Sequence, residues 1–290
     1  MLSFAVFFLL FIHGLASPTT RRSCPFPIPS TIDPCNCHYD EDFRLYLSCK
    51  MNQDMDDVIM KKLKREFGCQ KEIFKFFVDL NGNDWTAKFD EETVGSFQLT
   101  YFHLTNFGSF HGNIKSNAFN GSRNSIKEII FDSSVGPEDT RQHTVGEVET
   151  GAFSQLNSLK RIELGDSFSI IQPSAFSQLK KLESFDVAPL TIKRVGRRGF
   201  SGLLSLKVLD LSNQSITEIE QNAFNNLPNL TELHLDHNQL KQILDDTILP
   251  LPGPDSSLVS LDLSHNPGLC RIGNTLRYQN IRLNETTTIL

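Results

Sequence analysis

After its first dozen residues the chain has no apolar run approaching the roughly twenty residues that a membrane-spanning helix requires. No stable membrane anchor is therefore expected. Positive charge is also short. There are 28 Lys and Arg against 34 Asp and Glu, a net charge of −6, which argues against nucleic acid as a partner. There is no Gly-rich phosphate loop, no Gly-x-Ser-x-Gly elbow and no His-Glu-x-x-His. No catalytic residues are assigned, the chain reads as a non-enzyme, and no cofactor is expected. Cysteine is sparse, at six residues, and four of them fall between positions 24 and 49.

What is present is a repeated phrase. Leu206, Leu209 and Leu211 stand at relative positions 1, 4 and 6; so do Leu230, Leu233 and Leu235, and Leu258, Leu261 and Leu263. Behind most copies comes Ala-Phe or Gly-Phe and then Leu: Ala175-Phe176 with Leu179, Gly199-Phe200 with Leu203, Ala223-Phe224 with Leu227. Unit starts at Leu159, Leu182, Leu206, Leu230 and Leu258 are spaced 23, 24, 24 and 28 residues apart. The last interval is stretched by the proline-rich segment 249–254. Weaker copies begin at Ile73, Leu99 and Ile126, making eight units. The polar stretch Asp132–Glu147 reads as a surface loop inside the third.

The pattern resembles the leucine-rich repeat. Each unit is too small to bury its own apolar face, whereas stacked units share one core. Leu at 1, 4 and 6 points inward. Asn238 and Asn266 fill position 9, where an amide can satisfy buried backbone groups, and Gln214 is a poor substitute there. Phenylalanine is abundant at 23 residues. At least five fill the slot behind the strands, so the aromatics are read as core rather than as a cofactor pocket. The expected fold is an α/β leucine-rich-repeat solenoid, a curved horseshoe. Parallel strands line its concave face, its convex side is mostly irregular or short helical, and a disulfide cap closes its N-terminus.

Residues 1–16 read as a signal peptide. The apolar run 2–12 is followed by His13-Gly14-Leu15-Ala16-Ser17, which places cleavage after Ala16 or Ser17. Residues 24–72 form a cysteine-rich cap with a helical linker, 73–272 the repeats, and 273–290 a tail or minimal C-terminal cap. In the linker, Val58, Ile59, Leu63 and Phe67 suit one face of an amphipathic helix, read as a packed connector. The mature protein is expected outside the cell. Four sequons, at Asn120, Asn213, Asn229 and Asn284, are glycosylation candidates there. Cys270 is a candidate intermolecular thiol. Cys69 and Cys270, at opposite ends of the solenoid and roughly 34 Å apart at about 4.8 Å per strand, are too distant to pair.

Strand positions 3, 5, 7 and 8 face the concave surface. Column 5 runs Phe77, His103, Ile130, Glu163, Asp186, Asp210, His234, Asp262; column 3 runs Lys75, Tyr101, Glu128, Arg161, Ser184, Val208, Glu232, Ser260. Phe77, Tyr101 and His103 offer aromatic contact, and Glu163, Asp186, Asp210, His234 and Asp262 complete the candidate binding surface. Stacked carboxylates repel, so the strip suits a protein ligand with a basic half. Asp210, His234 and Asp262, with His237 and His265 nearby, could hold zinc. They are read as ordinary exposed strand residues, and no metal site is assigned.

Cys24-Pro25, Pro34-Cys35-Asn36-Cys37, Leu45-Tyr46-Leu47-Ser48-Cys49 and Phe74-Lys75-Phe76 together resemble an arthropod group of secreted leucine-rich-repeat proteins. That group is typified by the non-catalytic leucine-rich-repeat subunit of shrimp luciferase. The resemblance implies disulfides Cys24–Cys37 and Cys35–Cys49 and a binding role without an active site. Three functions follow as expectations. The first is extracellular protein–protein binding through the concave face. The second is an accessory structural subunit stabilising a secreted enzyme. The third is innate-immune pattern recognition of glycans or lipids. The expected partner is an extracellular protein ligand or partner subunit.

Overall fold

The computed structural model describes residues 22–23, 35–66, 72–91, 94–95, 97–108, 110, 112–132, 146–165, 168–189, 192–244, 247, 257–272 and 281–282. The signal-peptide region, Cys24, Cys69 and Asn284 lie outside these residues. The cap holds β1 (Arg22–Ser23), β2 (Cys35–Tyr39) and β3 (Leu45–Lys50), followed by α1 (Asp57–Glu66). The first repeat strands are β4 (Glu72–Asp79), β5 (Gln98–Thr105) and β6 (Glu128–Asp132). From there front and rear strands alternate. They are β7 (Gly146–Val148), β8 (Arg161–Leu164), β9 (Phe168–Ile171), β10 (Ser184–Val187), β11 (Arg194–Val195) and β12 (Val208–Asp210). The series continues with β13 (Glu218–Ile219), β14 (Glu232–His234), β15 (Gln242–Ile243), β16 (Ser260–Asp262), β17 (Arg271–Ile272) and β18 (Ile281–Arg282).

The front of the solenoid is the expected parallel sheet. Its order is β1-β2-β3-β4-β5-β6-β8-β10, then β12-β14-β16-β18. Register follows the leucine phrase. Leu209 lies opposite Leu233 and Leu233 opposite Leu261, as do Phe76, Phe102, Ile129 and Ile162 further up. A slip of one residue would turn every leucine out to water, so the alternation sets the pairing. The cap hairpin is antiparallel, and β3 then joins β4 in parallel, so the cap continues the front sheet and covers its first edge. Cys35 and Cys49, opposite each other in that hairpin, form a disulfide. Cys37 is also disulfide-bonded.

Five phenylalanines form a spine behind the strands. Phe119, Phe153, Phe176, Phe200 and Phe224 stack in order, with centroids 6.0, 5.2, 5.4 and 6.0 Å apart. Upstream, unit starts are 26, 27 and 33 residues apart, and the wider rungs need more filling. Trp85, Phe89, Phe110, Phe131 and Phe168 supply it, all buried. Position 9 works as an amide ladder. Asn238 accepts from Ile216 N–H and donates to the carbonyls of Leu211, Leu235 and Asp236; Asn266 repeats the pattern one unit on.

Four expectations change. The rear is not merely irregular or helical: β7, β9, β11 and β13 form a second short parallel sheet, with Val148, Ile171 and Val195 buried along it. Both ends of the expected surface loop are strand: Asp132 belongs to β6 and Gly146 and Glu147 to β7, while 133–145 lie outside the described residues. Helix α1 turns Met60 and Leu63 inward and packs Ile59 against the core, while Val58 is 58% exposed and lies off the packed stripe; Phe67 lies outside the described residues. Gln214 proves a working ladder residue. It is buried, accepts from Ile192 N–H and donates to Ala188 O and Ser212 O.

The front sheet is also interrupted, between β10 and β12. Position 8 explains this. There Asn106, Asn213, His237 and His265 have φ of 56°, 52°, 54° and 55°. Asn106, Asn213 and His237 each donate N–H to the position-7 carbonyl of the next unit, on Asp132, Asp236 and Ser264. Pro189 holds that position after β10. Its ring keeps φ near about −65° and it has no N–H to give. The left-handed turn and its rung bond to Ser212 are therefore both denied, and Gln214, one methylene longer than Asn, reaches across to Ala188 instead.

Candidate functional site

The two predicted columns face out of the front sheet in register. Phe77, His103, Ile130, Glu163 and Asp186 are successive partners, as are Asp210, His234 and Asp262. Alternation along the strands buries positions 4 and 6, with Val187 of β10 only half-buried, and leaves 3 and 5 half-buried or exposed. At the N-terminal end the aromatic surface is larger than column 5 suggests. His38, Tyr46, Phe74 and Tyr101 form a ladder with centroids 4.9, 5.3 and 5.1 Å apart, and the Arg44 guanidinium lies 4.5 Å over Phe74. Beside it is a cavity of about 310 Å³ lined by Phe43, Arg44, Phe74, Gln98 and Thr100. Phe43 is 63% exposed at φ 61°, a conformation a bulky residue rarely adopts. His38 and Tyr46 escaped the sequence reading because they belong to the cap. Phe74 did so because it occupies position 2, outside the strand columns.

His103 is bonded through Nε2 to Glu128, and Tyr101 lies between Lys75 and Glu128 in register. Burial holds the imidazole's pKa below its ordinary 6.5. The charges of Lys75 and Arg161 act in the same direction and Glu128 opposes them. The unfolded chain therefore binds more protons than the folded one just below pH 6.5. Stability should rise with pH through that window and level off above it. Urea midpoints of the wild type and His103→Gln at several pH values test this. The difference between the two should shrink on acidification; a constant difference would count against it. Glu163 carries the opposite sign lower down. Burial, and then Asp132, Asp186 and Glu128, raise its pKa above 4.5 against the pull of Arg161, so its contribution falls as pH rises through its folded value.

The acidic half is less repulsive than the column alone suggests. Arg161 reaches Glu163 at 2.7 Å and Asp186 at 3.3 Å. Asp210 and Asp262 each accept a backbone N–H two residues on, from Ser212 and Ser264 at 2.8 and 3.0 Å. These carboxylates thus also shape the turn after each strand. Where the sheet is broken, a cleft of about 220 Å³ opens between Asp186 and Asp210, lined also by Pro189, Ser212 and Asn213. Asn213 is exposed on its rim. Of the other sequons, Asn120 accepts from Arg123, and Asn229 is exposed and donates to Leu204 O. Cys270 is an exposed free thiol. Of the residues considered for metal, His234 and Asp262 do come together, but with Asp236 rather than Asp210.

A family model described as "BspA type Leucine rich repeat region" matches residues 140–248 in six copies. The chain carries leucine-rich repeats and folds as a leucine-rich-repeat solenoid. No curated protein matches its sequence. Among solved structures it is similar to the complex of PEPR1 with AtPEP1, at 14% identity and a TM-score of 0.49, over 87% of this chain and 36% of that one. It is also similar to the TLR13–ssRNA13 complex, at 15% identity and a TM-score of 0.30, over 84% and 49%. The chain thus spans about a third and about half the length of those two proteins. No helix among the described residues is long and apolar enough to cross a membrane. Solenoids of this kind use their extended concave surface for binding.

Proposed function

We propose that this leucine-rich-repeat protein is a secreted, non-catalytic binding module whose concave face engages an extracellular protein ligand. One observation carries the reading. The front sheet presents a graded surface, aromatic from His38 to Tyr101 and acidic from Glu163 to Asp262, interrupted by the cleft between Asp186 and Asp210. An elongated ligand with an apolar segment and a basic segment complements it. The apolar leader and the disulfide-bonded Cys35, Cys37 and Cys49 support an oxidising compartment. A second reading, an accessory subunit held to a secreted enzyme, is favoured by the exposed free thiol of Cys270.

The test isolates the native protein from its own fluid under non-reducing conditions and identifies any stoichiometric companion by mass spectrometry. Affinity is then measured with the pure companion. A variant carrying Tyr101→Ala, Asp186→Asn and Asp210→Asn is expected to bind at least about tenfold more weakly, since each change removes contact or charge at the face's centre. Asparagine keeps the oxygen that accepts Ser212 N–H. Lys193→Ala, exposed beside the rear sheet, should change nothing. Unchanged affinity in the triple variant sinks the concave-face reading. A companion linked through Cys270 supports the accessory-subunit form.

A further inference from the structure

We propose that His234, Asp236 and Asp262 form a zinc-binding site on the concave face, bridging β14 and β16. The fold brings these groups together in a simple way. His234 and Asp262 are register partners in column 5, and Asp236 lies two residues after His234, on the same face. One ligand atom from each of the three falls within 4.8 Å of the others, and all three residues are half-buried. Tetrahedral zinc, with bonds of about 2.0–2.1 Å, sets its ligands roughly 3.4 Å apart. The widest pair therefore closes by about 1.5 Å at most, a small side-chain adjustment on a fixed backbone.

The backbone beneath the site is tied down. Asp236 O accepts from Asn213 N–H and from the Asn238 amide, and Leu235 N–H donates to Asp262 O. Each ligand residue also makes an outer contact, as monodentate ligation permits. Asp262 Oδ1 accepts Ser264 N–H, Asp236 Oδ2 is 2.8 Å from His237 Nδ1, and His234 Nε2 is 3.3 Å from Glu232 Oε2. Such outer contacts orient ligands and raise their affinity. His237 is held in turn, stacked on His265 with centroids 4.0 Å apart. An imidazole with two carboxylates favours zinc over calcium or magnesium, which prefer oxygen alone. Two carboxylates and a neutral imidazole also balance the charge of the ion. Three protein ligands leave a fourth position open, to water or to a side chain of a bound partner.

The inference does not depend on the proposed ligand, because the free chain would bind the ion. The test is calorimetric titration of zinc chloride into chelator-treated, full-length protein carrying Cys270→Ser, which removes the exposed thiol as a rival zinc ligand. One saturable site per chain is expected, with a rise in melting temperature on adding zinc. His234→Ala should weaken binding at least about tenfold. Asp262→Asn should do the same while keeping the acceptor for Ser264 N–H, so loss of binding can be separated from loss of fold by circular dichroism. His237→Ala should cost about tenfold through the outer contact. Glu183→Gln, in a surface ion pair with Lys160, should cost nothing. No saturable binding by the parent, or wild-type affinity in both His234→Ala and Asp262→Asn, would overturn the site. Equal affinity for calcium would overturn its assignment to zinc.

Discussion

Phe200→Ala is expected to lower the unfolding free energy by about 3–5 kcal/mol, the range for truncating a fully buried aromatic. Phe200 is fully buried in the middle of the spine. Phe176 and Phe224 stack on its two faces at 5.4 and 6.0 Å, and Phe185 meets it edge-on at 5.0 Å. Its backbone is fixed by the bond from Phe200 N–H to Ala223 O, so the rung cannot collapse into the space left. Because each unit is stabilised mainly by its neighbours, the loss reaches both adjoining rungs. Phe200→Leu should cost distinctly less. Urea unfolding of the three proteins measures the series, and a loss below about 1 kcal/mol for alanine would mean that the spine is loosely packed.

Asn238→Ala should be nearly as damaging, though it removes little apolar area. The buried amide serves Ile216 N–H and the carbonyls of Leu211, Leu235 and Asp236. Asp236 O retains Asn213 N–H and Leu235 O retains the Asn266 amide, so Ile216 N–H and Leu211 O lose their partner. At about 1–3 kcal/mol for each unsatisfied buried group, the total is on the order of 2–5 kcal/mol. Hydrogen exchange discriminates the mechanism: the Ile216 amide should lose protection more than amides two units away. Uniform loss along the chain would point to general destabilisation.

The repeated leucine phrase was enough to place the front strands of the eight units, because side chains alternate with period two and a single slip exposes a whole row. The same logic made Phe77, His103, Glu163, Asp186, Asp210, His234 and Asp262 legible as one column. It could not show which of them are already engaged. Arg161 lies in column 3 by sequence, and only its side-chain reach reveals that it holds Glu163 and Asp186. Gln214 reads as a poor ladder residue because position 9 usually carries Asn. The added methylene is useful where Pro189 has removed the ordinary rung bond. The rear strands were missed because two to four residues of mixed character carry too little periodic signal.

The sequence by itself therefore determined the solenoid, its register and the direction of each strand side chain, since these depend on local alternation repeated many times. Tertiary structure alone decided where the front sheet parts, how the cap's aromatics join the first repeats, and which ionic groups meet. Those outcomes depend on distances between residues on different rungs. Asp236 shows the difference. Its place two residues after His234 sets its face, but only the stacking of β16 against β14 brings Asp262 to the same point in space.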